Sequence, residues 1–483
     1  MRAFRNILLI AIAVAACVGS SISAQLAETL EEERAIAFLK KVQAGDKDSL
    51  LAFMYANWIP AAEGSDREAR WQKFATLLIN EHSDLQVAGV MADEPHRLEV
   101  MVSDPDGPEL VFIFDFEAVL PHLIRGVAVD AGGGRGGPEL PDLQLPPDAD
   151  DAAITAVLDQ WFGILDDDDI FSGTVLIARD GVAIYRRAWG KADLRWEIPN
   201  RIDTRFDLGS INKSFTRIAI GQLIRDGKLG FGDLIITHLP DYPNTEAASK
   251  ITIRHLLEHT AGLGDIFNDR FFTSSKAQYR SPRDFFPLFA DKPLQFDPGS
   301  RSEYSNAGFM VLGAIIEAVS GQPYDEYVVQ NIFEPAGMTH SGFFDGDGLE
   351  PNVAEGYTTM QGDRRSNIYM LPARGNSAGS AQSTVDDLLA FDNALREYRL
   401  LPPYFTNWYF GGVEPEADTA AKETPARAAA AIGIAGGAPG VSASLESDGV
   451  LTVIVLSNYD APIAENVARV LYRPLSKAFA SQK

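Results

Sequence analysis

Ser210 and Lys213 lie three positions apart in the stretch FDLGSINKSFTRIAIGQLI, residues 206–224. Residues with this spacing are neighbours on a helix, so the lysine amine can reach the serine hydroxyl. The following apolar residues predict a helix that begins at or near Ser210, where the positive end of its dipole, together with burial, would lower the pKa of Lys213. A neutral lysine can deprotonate serine for nucleophilic attack. In isolation, a pattern this short favours an ordinary helix start.

A proton relay needs further groups, and the segment Tyr304-Ser305-Asn306 offers two. It lies in PGSRSEYSNAGFMVLGAII, which predicts a turn followed by a helix. A tyrosine at that turn can carry protons, and an asparagine can hold an amide or a lysine. The pattern Tyr-x-Asn also occurs at Tyr55 and Tyr242, so only the surrounding sequence distinguishes the three.

A zinc site is a different possibility. His255-Leu-Leu-Glu258-His259 matches the H-x-x-E-H pattern of inverted zinc peptidases, in which two histidines bind Zn and the glutamate acts as base. Thr260-Ala261-Gly262 follows at once and predicts that the helix ends at the second histidine. The alternative interpretation is a helix C-terminus with His259 near the negative end of the dipole.

A second serine motif, Gly375-Asn-Ser377-Ala-Gly379, matches the G-x-S-x-G nucleophile elbow of α/β-hydrolases. In those enzymes the histidine follows the serine in the chain. All seven histidines here precede Ser377: His82, His96, His122, His238, His255, His259 and His340. The elbow interpretation therefore fails, and a loop of small residues is the better account. A Ser-His-Asp arrangement in another chain order has no local support.

The elements that must position these groups divide into two predicted domains. Residues 25–129 combine helical spacing of apolar residues near 28–45 and 67–82 with strand-like runs at 97–103, 109–116 and 124–130. They predict a small α+β accessory domain. Residues 130–151, DAGGGRGGPELPDLQLPPDADD, are rich in Gly, Pro and Asp, which is typical of a linker.

Residues 152–483 begin and end with hairpin patterns. Asp180-Gly181 and Asp448-Gly449 are turn dipeptides suited to positive φ, each between apolar strands. Helical patterns fill the middle, and a final helix is predicted at about 461–471. Strands at both ends with helices between predict one antiparallel sheet, in which the first strands pair with the last. Helices are predicted to flank this sheet, with a helical insertion between its two parts in the chain.

The first residues predict an export signal over residues 1–24. Arg2 and Arg5 precede an apolar run at 7–18 that is too short to span a bilayer comfortably. Cleavage after Ala24 would leave a soluble periplasmic or secreted protein, whereas the run 14–17 resembles a lipoprotein signal lipidated at Cys17. Both routes stay open. Cys17 is the only cysteine, so the mature domains contain no disulfide and no thiolate metal site.

The charge balance argues against a nucleic-acid partner. The chain has 42 Lys and Arg against 67 Asp and Glu, a net charge of −25. Phosphate binding needs clustered basic side chains, which this composition does not favour. The balance predicts solubility, and nothing in the sequence implies a cofactor.

Taken in order, four motifs resemble the serine β-lactamase and penicillin-binding protein superfamily: FDLGSINKSFT, HLLEHTAGLGD, FDPGSRSEYSNAGFMVLGAIIEAVSG, and AGGAPG before the last hairpin. The resemblance covers residues 152–480 and is greatest to the class C-like group, which includes esterases and D-amino-acid peptidases. It implies an α+β β-lactamase-like domain preceded by the small α+β domain. It also explains H-x-x-E-H as the family's HTSGL-type segment, here residues 259–263.

The resemblance implies a role for each motif residue. Ser210 would form the acyl-enzyme, and Lys213 would be its base. Tyr304 would relay protons to the leaving group and help activate the deacylating water. Asn306 would orient Lys213 and the substrate. No metal is implied.

The third family motif departs from the usual pattern. The family has K-T-G or H-x-G on the inner strand, and Ile434-Ala435-Gly436 aligns there. Gly436 would bind substrate, and the N–H groups of Gly437 and Ser210 would form the oxyanion hole. Because isoleucine cannot hold a negative charge, Ile434 favours an ester or uncharged amide substrate. Arg374 or Arg365 is the alternative source of a cation.

We therefore expect an exported serine hydrolase that forms an acyl-enzyme with a small-molecule ester or amide. The main alternative is a β-lactamase or D-amino-acid peptidase. More remote alternatives are a catalytically inactive binding module and a zinc peptidase using His255, Glu258 and His259.

Overall fold

The computed structural model describes residues 30–58, 71–72, 74–76, 78–79, 85–94, 97–103, 110–116, 123–130, 138, 140–146 and 149–481, without residues 301, 361, 413 and 416–426. The described residues form two compact units, one from residues 30–58 and 85–130 and the other from residues 71–79 and 138–481. The predicted cleavage after Ala24 and lipidation of Cys17 lie outside the described residues.

The smaller unit is an α+β structure. Its described elements are α1 (Leu30–Gln43), α2 (Lys47–Asn57), β1 (Gln86–Glu94), β2 (Arg97–Ser103), β3 (Leu110–Phe116) and β4 (Ile124–Asp130). The strands form an antiparallel sheet in sequence order. The sequence patterns located β2, β3 and β4 but missed β1. Register shifts between Val87 and Gly89 and between Val90 and Ala92 interrupt its alternation of apolar residues.

The first helix of this unit packs on its sheet. α1 buries the apolar residues Ala35, Phe38 and Val42, which recur at helical spacing. The ring of Phe38 meets that of Phe114 in β3 edge to face, with centroids 5.6 Å apart. Helix α2 begins after Asp46, whose carboxylate accepts the N–H groups of Asp48 and Ser49.

The larger unit contains more elements, which fall into three groups along the chain. The first group is α3 (Asp151–Asp167), β5 (Gly173–Arg179), β6 (Val182–Trp189), β7 (Lys191–Asp193), β8 (Ile198–Pro199), β9 (Phe206–Asp207) and α4 (Asn212–Arg225). The insertion contains α5 (Ile235–His238), α6 (Thr245–Ala248), α7 (Ile253–Leu257), α8 (Asp269–Thr273), α9 (Phe286–Phe289), α10 (Asn306–Ser320), α11 (Tyr324–Val328) and α12 (Glu334–Ala336). The last group is β10 (Tyr357–Thr358), β11 (Arg365–Ser366), β12 (Gln382–Ser383), α13 (Val385–Arg396), α14 (Pro403–Tyr409), β13 (Ile432–Ala438), β14 (Val441–Ser447), β15 (Leu451–Ser457) and α15 (Ile463–Ser481).

The main sheet joins the two ends of this unit. Its order is β13-β14-β15-β5-β6, and β15 pairs antiparallel with β5 from Leu451↔Arg179 to Ser457↔Gly173. The β5–β6 turn has Asp180 and Gly181 at φ values of 50° and 78°, as the turn dipeptide predicted. The predicted sheet with its helical insertion is confirmed. However, β13, which carries the third motif, is an edge strand in the described structure, not an inner strand.

Alternate residues of the central strands face two separate cores. Leu176 and Ile454 face the core shared with the helical insertion. Val175 and Val453 face the core that α3 and α15 cover. Successive side chains of a strand point to opposite faces, and here both sets are buried, so the sheet is covered on both sides.

The last helix is longer than the sequence predicted. It runs to Ser481 and contains Pro474, where a break is usual. The buried positions Ile463, Val467, Leu471 and Leu475 keep a helical period across the proline. Burial of this apolar stripe against the sheet offsets the hydrogen bond that proline cannot donate.

A buried ion pair fixes the approach to β13. Arg396 at the end of α13 is fully buried, and its Nε donates to Asp392 Oδ1 at 2.8 Å. Its two Nη atoms donate to the carbonyl oxygens of Ala428, Ala430 and Ser447. One guanidinium thus ties α13 to the segment that leads into β13 and to the end of β14.

We expect Arg396→Met to lower the free energy of unfolding by about 3–5 kcal/mol, because it leaves the carboxylate of Asp392 buried without its cation. Urea denaturation followed by circular dichroism measures this change. The double variant Arg396→Met/Asp392→Leu removes both charges and should lose less stability than the single variant. Equal stability of wild type and Arg396→Met would contradict the prediction.

The described helices include none that combines the length and apolar character needed to cross a bilayer.

Candidate active site

The predicted nucleophile lies on a tight turn that leads into α4. Ser210 is in a 3-10 turn, Gly209–Ile211, and α4 begins at Asn212. Gly209 has a φ of +49°, and a Cβ there would lie 2.8 Å from the nitrogen of Gly437. The sequence predicted a helix start at or near Ser210. The short turn presents the hydroxyl beside β13.

Lys213 is 8% exposed, and its Nζ atom has three hydrogen-bond partners. It lies 3.0 Å from Ser210 Oγ, 2.8 Å from Asn306 Oδ1 and 2.7 Å from the carbonyl oxygen of Ala378. A carbonyl oxygen and an amide oxygen can only accept, so each takes one N–H of the amine. In the neutral amine the remaining lone pair then faces the hydroxyl of Ser210.

Burial lowers the pKa of Lys213 from its ordinary 10.5 to about 7, while the negative charge of Asp265 opposes the shift. An amine with this pKa is substantially neutral at pH 7 and can accept the serine proton. The structure therefore gives the lysine both the geometry and the protonation state of a general base.

We expect kcat/KM for a neutral ester to rise about tenfold per pH unit below pH 7 and to level off above it, because only neutral Lys213 can accept the proton. A pH–rate profile measures this limb. Asp207 also titrates nearby, since burial raises its pKa to about 6. Its carboxylate accepts the N–H of Gly209 at 2.7 Å and does not contact Lys213. A limb near pH 7 should therefore persist in Asp207→Asn, and its loss there would contradict the assignment to Lys213.

Tyr304 completes the group around the hydroxyl. Its Oη lies 2.8 Å from Ser210 Oγ, and its ring stacks on His259 with centroids 4.7 Å apart. The ring nitrogen Nδ1 of His259 accepts the N–H of Ser305 at 3.1 Å, which fixes the turn that carries Tyr304. Ser305 in turn caps α10 by accepting the N–H of Gly308.

Asn306 is the first residue of α10 and is held between Lys213 and Asp265. Its Oδ1 accepts from Lys213, and its Nδ2 lies 3.2 and 3.1 Å from the two carboxylate oxygens of Asp265. The sequence motifs predicted its role in orienting Lys213. The contact with Asp265 was not predicted.

The G-x-S-x-G segment is a structural loop that serves the site through its backbone. Ser377 is fully buried, and its hydroxyl contacts only the sulfur of Met310 at 3.8 Å among its described hydrogen-bond partners. Three successive carbonyl oxygens of the loop, at residues 376–378, accept from Asn212, Thr216 and Lys213 of α4. The loop is thus anchored to the helix that follows the nucleophile.

The strand β13 presses directly against the nucleophile turn. A Cβ added to Gly436 would lie 1.9 Å from the carbonyl oxygen of Leu208 and 2.7 Å from the nitrogen of Ser210. No side chain fits at that position, so glycine is required for this approach. The backbone of Ser210 is thereby brought beside that of Gly436 and Gly437.

The missing cation of the third motif is not replaced by Arg374. Ile434 packs against the core. Arg374 forms ion pairs with both Asp325 and Asp345, which neutralise its charge. Arg365 lies on β11 and is exposed. Neither arginine is among the groups that surround Ser210 Oγ in the described structure.

The three residues of the zinc pattern do not share one helix face. Helix α7 ends at Leu257, and His259 has a φ of +58°. The Nδ1 of His255 accepts the N–H of Thr252 at 3.2 Å, at the start of α7. Each histidine therefore uses one ring nitrogen to accept a backbone N–H, from Thr252 for His255 and from Ser305 for His259. Among the described residues, no group of three His, Cys, Asp or Glu side chains could hold a metal ion.

A comparison with protein families decides the classification. Residues 154–471 match the family described as Beta-lactamase. The chain belongs to the β-lactamase family. This family assignment confirms the resemblance drawn from the motifs and the fold class, and it places the chain among β-lactamase-related serine hydrolases.

Relatives within the β-lactamase family carry several names. Esterase EstB of Burkholderia gladioli is 31% identical over 283 residues, 51% of this chain and 71% of that protein. A penicillin-binding protein of Bacillus subtilis is 31% identical over 256 residues, 49% of this chain and 55% of that protein. The chain spans about half the length of several such curated relatives.

The β-lactamase fold is also found in solved structures. The crystal structure of a penicillin-binding protein from Bacillus halodurans is 32% identical, with a TM-score of 0.56, and the match covers 65% of this chain and 98% of that one. The matched part of this chain therefore corresponds to almost the whole of that solved chain.

Several groups around this β-lactamase-family site were given no role there by the sequence analysis, although the side chains among them lie inside the quoted motifs. They are the Ala378 carbonyl oxygen and the side chains of Asn212, Thr216, His259 and Asp265. The spacing of Asn212 and Thr216, four apart on α4, gave one available signal, since residues four apart share a helix face and both donate to the loop that Lys213 also contacts. The others come from distant segments.

Proposed function

We propose that this protein is an exported serine hydrolase that cleaves small uncharged esters or amides through an acyl-enzyme on Ser210. The main support is the geometry around one oxygen atom. Ser210 Oγ lies 3.0 Å from Lys213 Nζ and 2.8 Å from Tyr304 Oη. The pKa of Lys213, lowered by burial to about 7, supplies a base at neutral pH.

In the acylation step, the Oγ of Ser210 attacks the substrate carbonyl carbon while Lys213 accepts its proton. The carbonyl oxygen gains negative charge, which the N–H groups of Ser210 and Gly437 stabilise. The tetrahedral intermediate then collapses, and the bond to the leaving group breaks. Tyr304 passes a proton from Lys213 to that leaving group, which departs as an alcohol or amine.

In the deacylation step, a water molecule attacks the acyl carbonyl carbon. Its proton passes through the hydroxyl of Tyr304 to Lys213, and the same two N–H groups stabilise the oxyanion. Collapse returns the proton to Ser210 Oγ and releases the carboxylic acid. Deacylation resembles the reverse of acylation with water in place of the leaving group, so the same groups can serve both steps.

The substrate class follows from the charges around the site. Ile434 replaces the usual polar group, and Arg374 is neutralised by two carboxylates. A negatively charged substrate therefore lacks a free cation among these groups, which favours uncharged esters and amides. The name of the relative EstB, an esterase, is consistent with this class.

Labelling with a fluorophosphonate probe, followed by mass spectrometry of the adduct, tests the proposal. We expect a single adduct on Ser210 and hydrolysis of p-nitrophenyl acetate. A protein that neither labels nor turns over the ester is a binding module instead. A β-lactamase or D-amino-acid peptidase shares the acylation step, so hydrolysis of nitrocefin at a rate comparable to that of the ester would overturn the substrate class.

Export is part of the proposal and is supported by the basic and apolar pattern of residues 1–24. Expression of the full chain in a bacterium, followed by fractionation and mass spectrometry of the mature N-terminus, tests it. Cleavage after Ala24 gives a soluble protein, and a lipidated Cys17 gives an anchored one. Full-length chain in the cytoplasm would contradict export.

A further inference from the structure

We propose that Asp265 is a positioning residue that directs the lone pair of Lys213 at Ser210 by fixing the orientation of the Asn306 amide. The inference rests on the proposed hydrolase function. It concerns a residue outside the Ser-x-x-Lys, Tyr-x-Asn and third motifs.

The carboxylate of Asp265 is fixed by the backbone around it. Its Oδ1 accepts the N–H of Phe267 at 3.1 Å, and its Oδ2 accepts the backbone N–H of Asn306 at 3.2 Å. The carboxylate therefore sits across the start of α10 and meets the Asn306 side chain from one defined side.

An ionised carboxylate can only accept hydrogen bonds. The side-chain amide of Asn306 must therefore turn its Nδ2 donor towards Asp265, at 3.1 and 3.2 Å from the two oxygens. The amide oxygen is left facing Lys213 Nζ at 2.8 Å. The reversed amide would set its oxygen against two carboxylate oxygens, which repel it.

The orientation of this amide decides what the lysine can do. With Oδ1 towards it, neutral Lys213 gives one N–H to Asn306 and one to the Ala378 carbonyl oxygen, and its lone pair remains for Ser210. With Nδ2 towards it, an amide N–H would compete for that lone pair. The lone pair of Lys213 would then accept a hydrogen bond from Asn306 and not from the hydroxyl of Ser210.

Asp265 also acts on Lys213 through its charge. It is the anionic group that opposes the lowering of the lysine pKa by burial. Two other titratable groups pack around the amine. The ring centroid of Tyr304 lies 4.8 Å from Nζ. The second group is His259, which the positive charges of Lys213 and Arg217 both affect. Since burial and these cations lower the pKa of His259 to about 4, that ring stays neutral in the working range.

The test is a set of pH–rate profiles of kcat/KM for p-nitrophenyl acetate between pH 5 and 9, about two units either side of the Lys213 pKa. In Asp265→Asn, the amide at 265 can donate as well as accept, so Asn306 is free to reverse. We expect the plateau to fall about tenfold. We expect the acid limb to move to lower pH by roughly one unit, because a negative charge near Lys213 is lost.

The exchange variant Asp265→Asn/Asn306→Asp gives a sharper test. A carboxylate at 306 can only accept, so the lysine lone pair is again directed at Ser210, while the carboxylate now lies beside Nζ. We expect the plateau to recover at least about threefold over Asp265→Asn. We expect the acid limb to move above that of the wild type, opposite to the single variant.

Asp269→Asn is the matched control. Asp269 lies in the same segment and is exposed at the start of α8, so the variant loses the same charge away from the site. Its profile should equal that of the wild type. Fluorophosphonate titration at each pH counts competent sites in every variant, so a change in the folded fraction is separated from a movement of the limb.

A plateau and limb unchanged in Asp265→Asn would overturn the inference. So would an exchange variant whose limb moves to lower pH. Both outcomes leave the proposed function standing, because the wild type still hydrolyses the ester. A wild type that neither labels nor turns over removes the proposed function, and this inference falls with it.

Discussion

Replacing Ser210 by alanine is expected to lower kcat/KM for p-nitrophenyl acetate by at least about 10³-fold, because it removes the atom that we propose forms the acyl-enzyme. Lys213 and Tyr304 stay in place but have no hydroxyl to activate. Steady-state kinetics on enzyme purified free of host esterases measures the change, and fluorophosphonate labelling should disappear with it.

The control for this variant is Ser377→Ala, which removes the serine of the G-x-S-x-G segment. The hydroxyl of Ser377 is buried and contacts the sulfur of Met310. The loop is held to α4 through backbone carbonyl oxygens, which the substitution leaves in place. We expect activity within a few-fold of wild type. Full activity in Ser210→Ala with loss in Ser377→Ala would reverse the assignment of the nucleophile.

Replacing Lys213 by methionine is expected to lower kcat/KM by about 10²–10⁴-fold, the range typical of a lost general base. Methionine fills much of the lysine volume but offers no lone pair to the hydroxyl of Ser210. The acid limb near pH 7 should vanish, because the group that titrates there is absent. Residual activity that kept the limb would show that another group is the base.

The stability of Lys213→Met distinguishes lost chemistry from lost folding. The pKa of Lys213 is about 7 in the folded protein, against an ordinary value of 10.5. Between these values the unfolded chain binds more protons, so the free energy of unfolding of the wild type rises with pH. Relative to Lys213→Met, the wild type should gain about 2–3 kcal/mol between pH 6 and 9. Urea denaturation at the two pH values measures this, and an equal difference at both would contradict the shifted pKa.

The sequence predicted those parts of the protein that depend on local patterns. Asp180-Gly181 predicted its hairpin because both positions need positive φ, and the apolar alternation of 97–103 predicted β2. The spacing of Ser210 and Lys213 predicted their contact, since side chains three apart meet both in an α-helix and in the 3-10 turn that carries Ser210. The same local signals, placed in chain order, predicted the fold class, which the family match confirmed.

Other parts depend on pairings that no local pattern encodes. The contact of Asp265 with Asn306 joins a loop to a helix start, and the ion pairs of Arg374 join three separate segments. The edge position of β13 depends on the strand order of the whole sheet, β13-β14-β15-β5-β6, which no local pattern encodes. The length of α15 depended on the sheet it covers, because burial at Leu475 outweighs the cost of Pro474.

The pairing of β15 with β5 has a consequence for the timing of activity during synthesis. Ser210 emerges from the ribosome long before Gly436 and Gly437, and the strand that carries the two glycines pairs with β14, which in turn pairs with β15. A nascent chain that ends before residue 451 therefore contains Ser210, Lys213 and β13 but lacks β15, the strand that joins β13 and β14 to β5. Hydrolysis should therefore begin only when β15 has paired with β5 and closed the sheet.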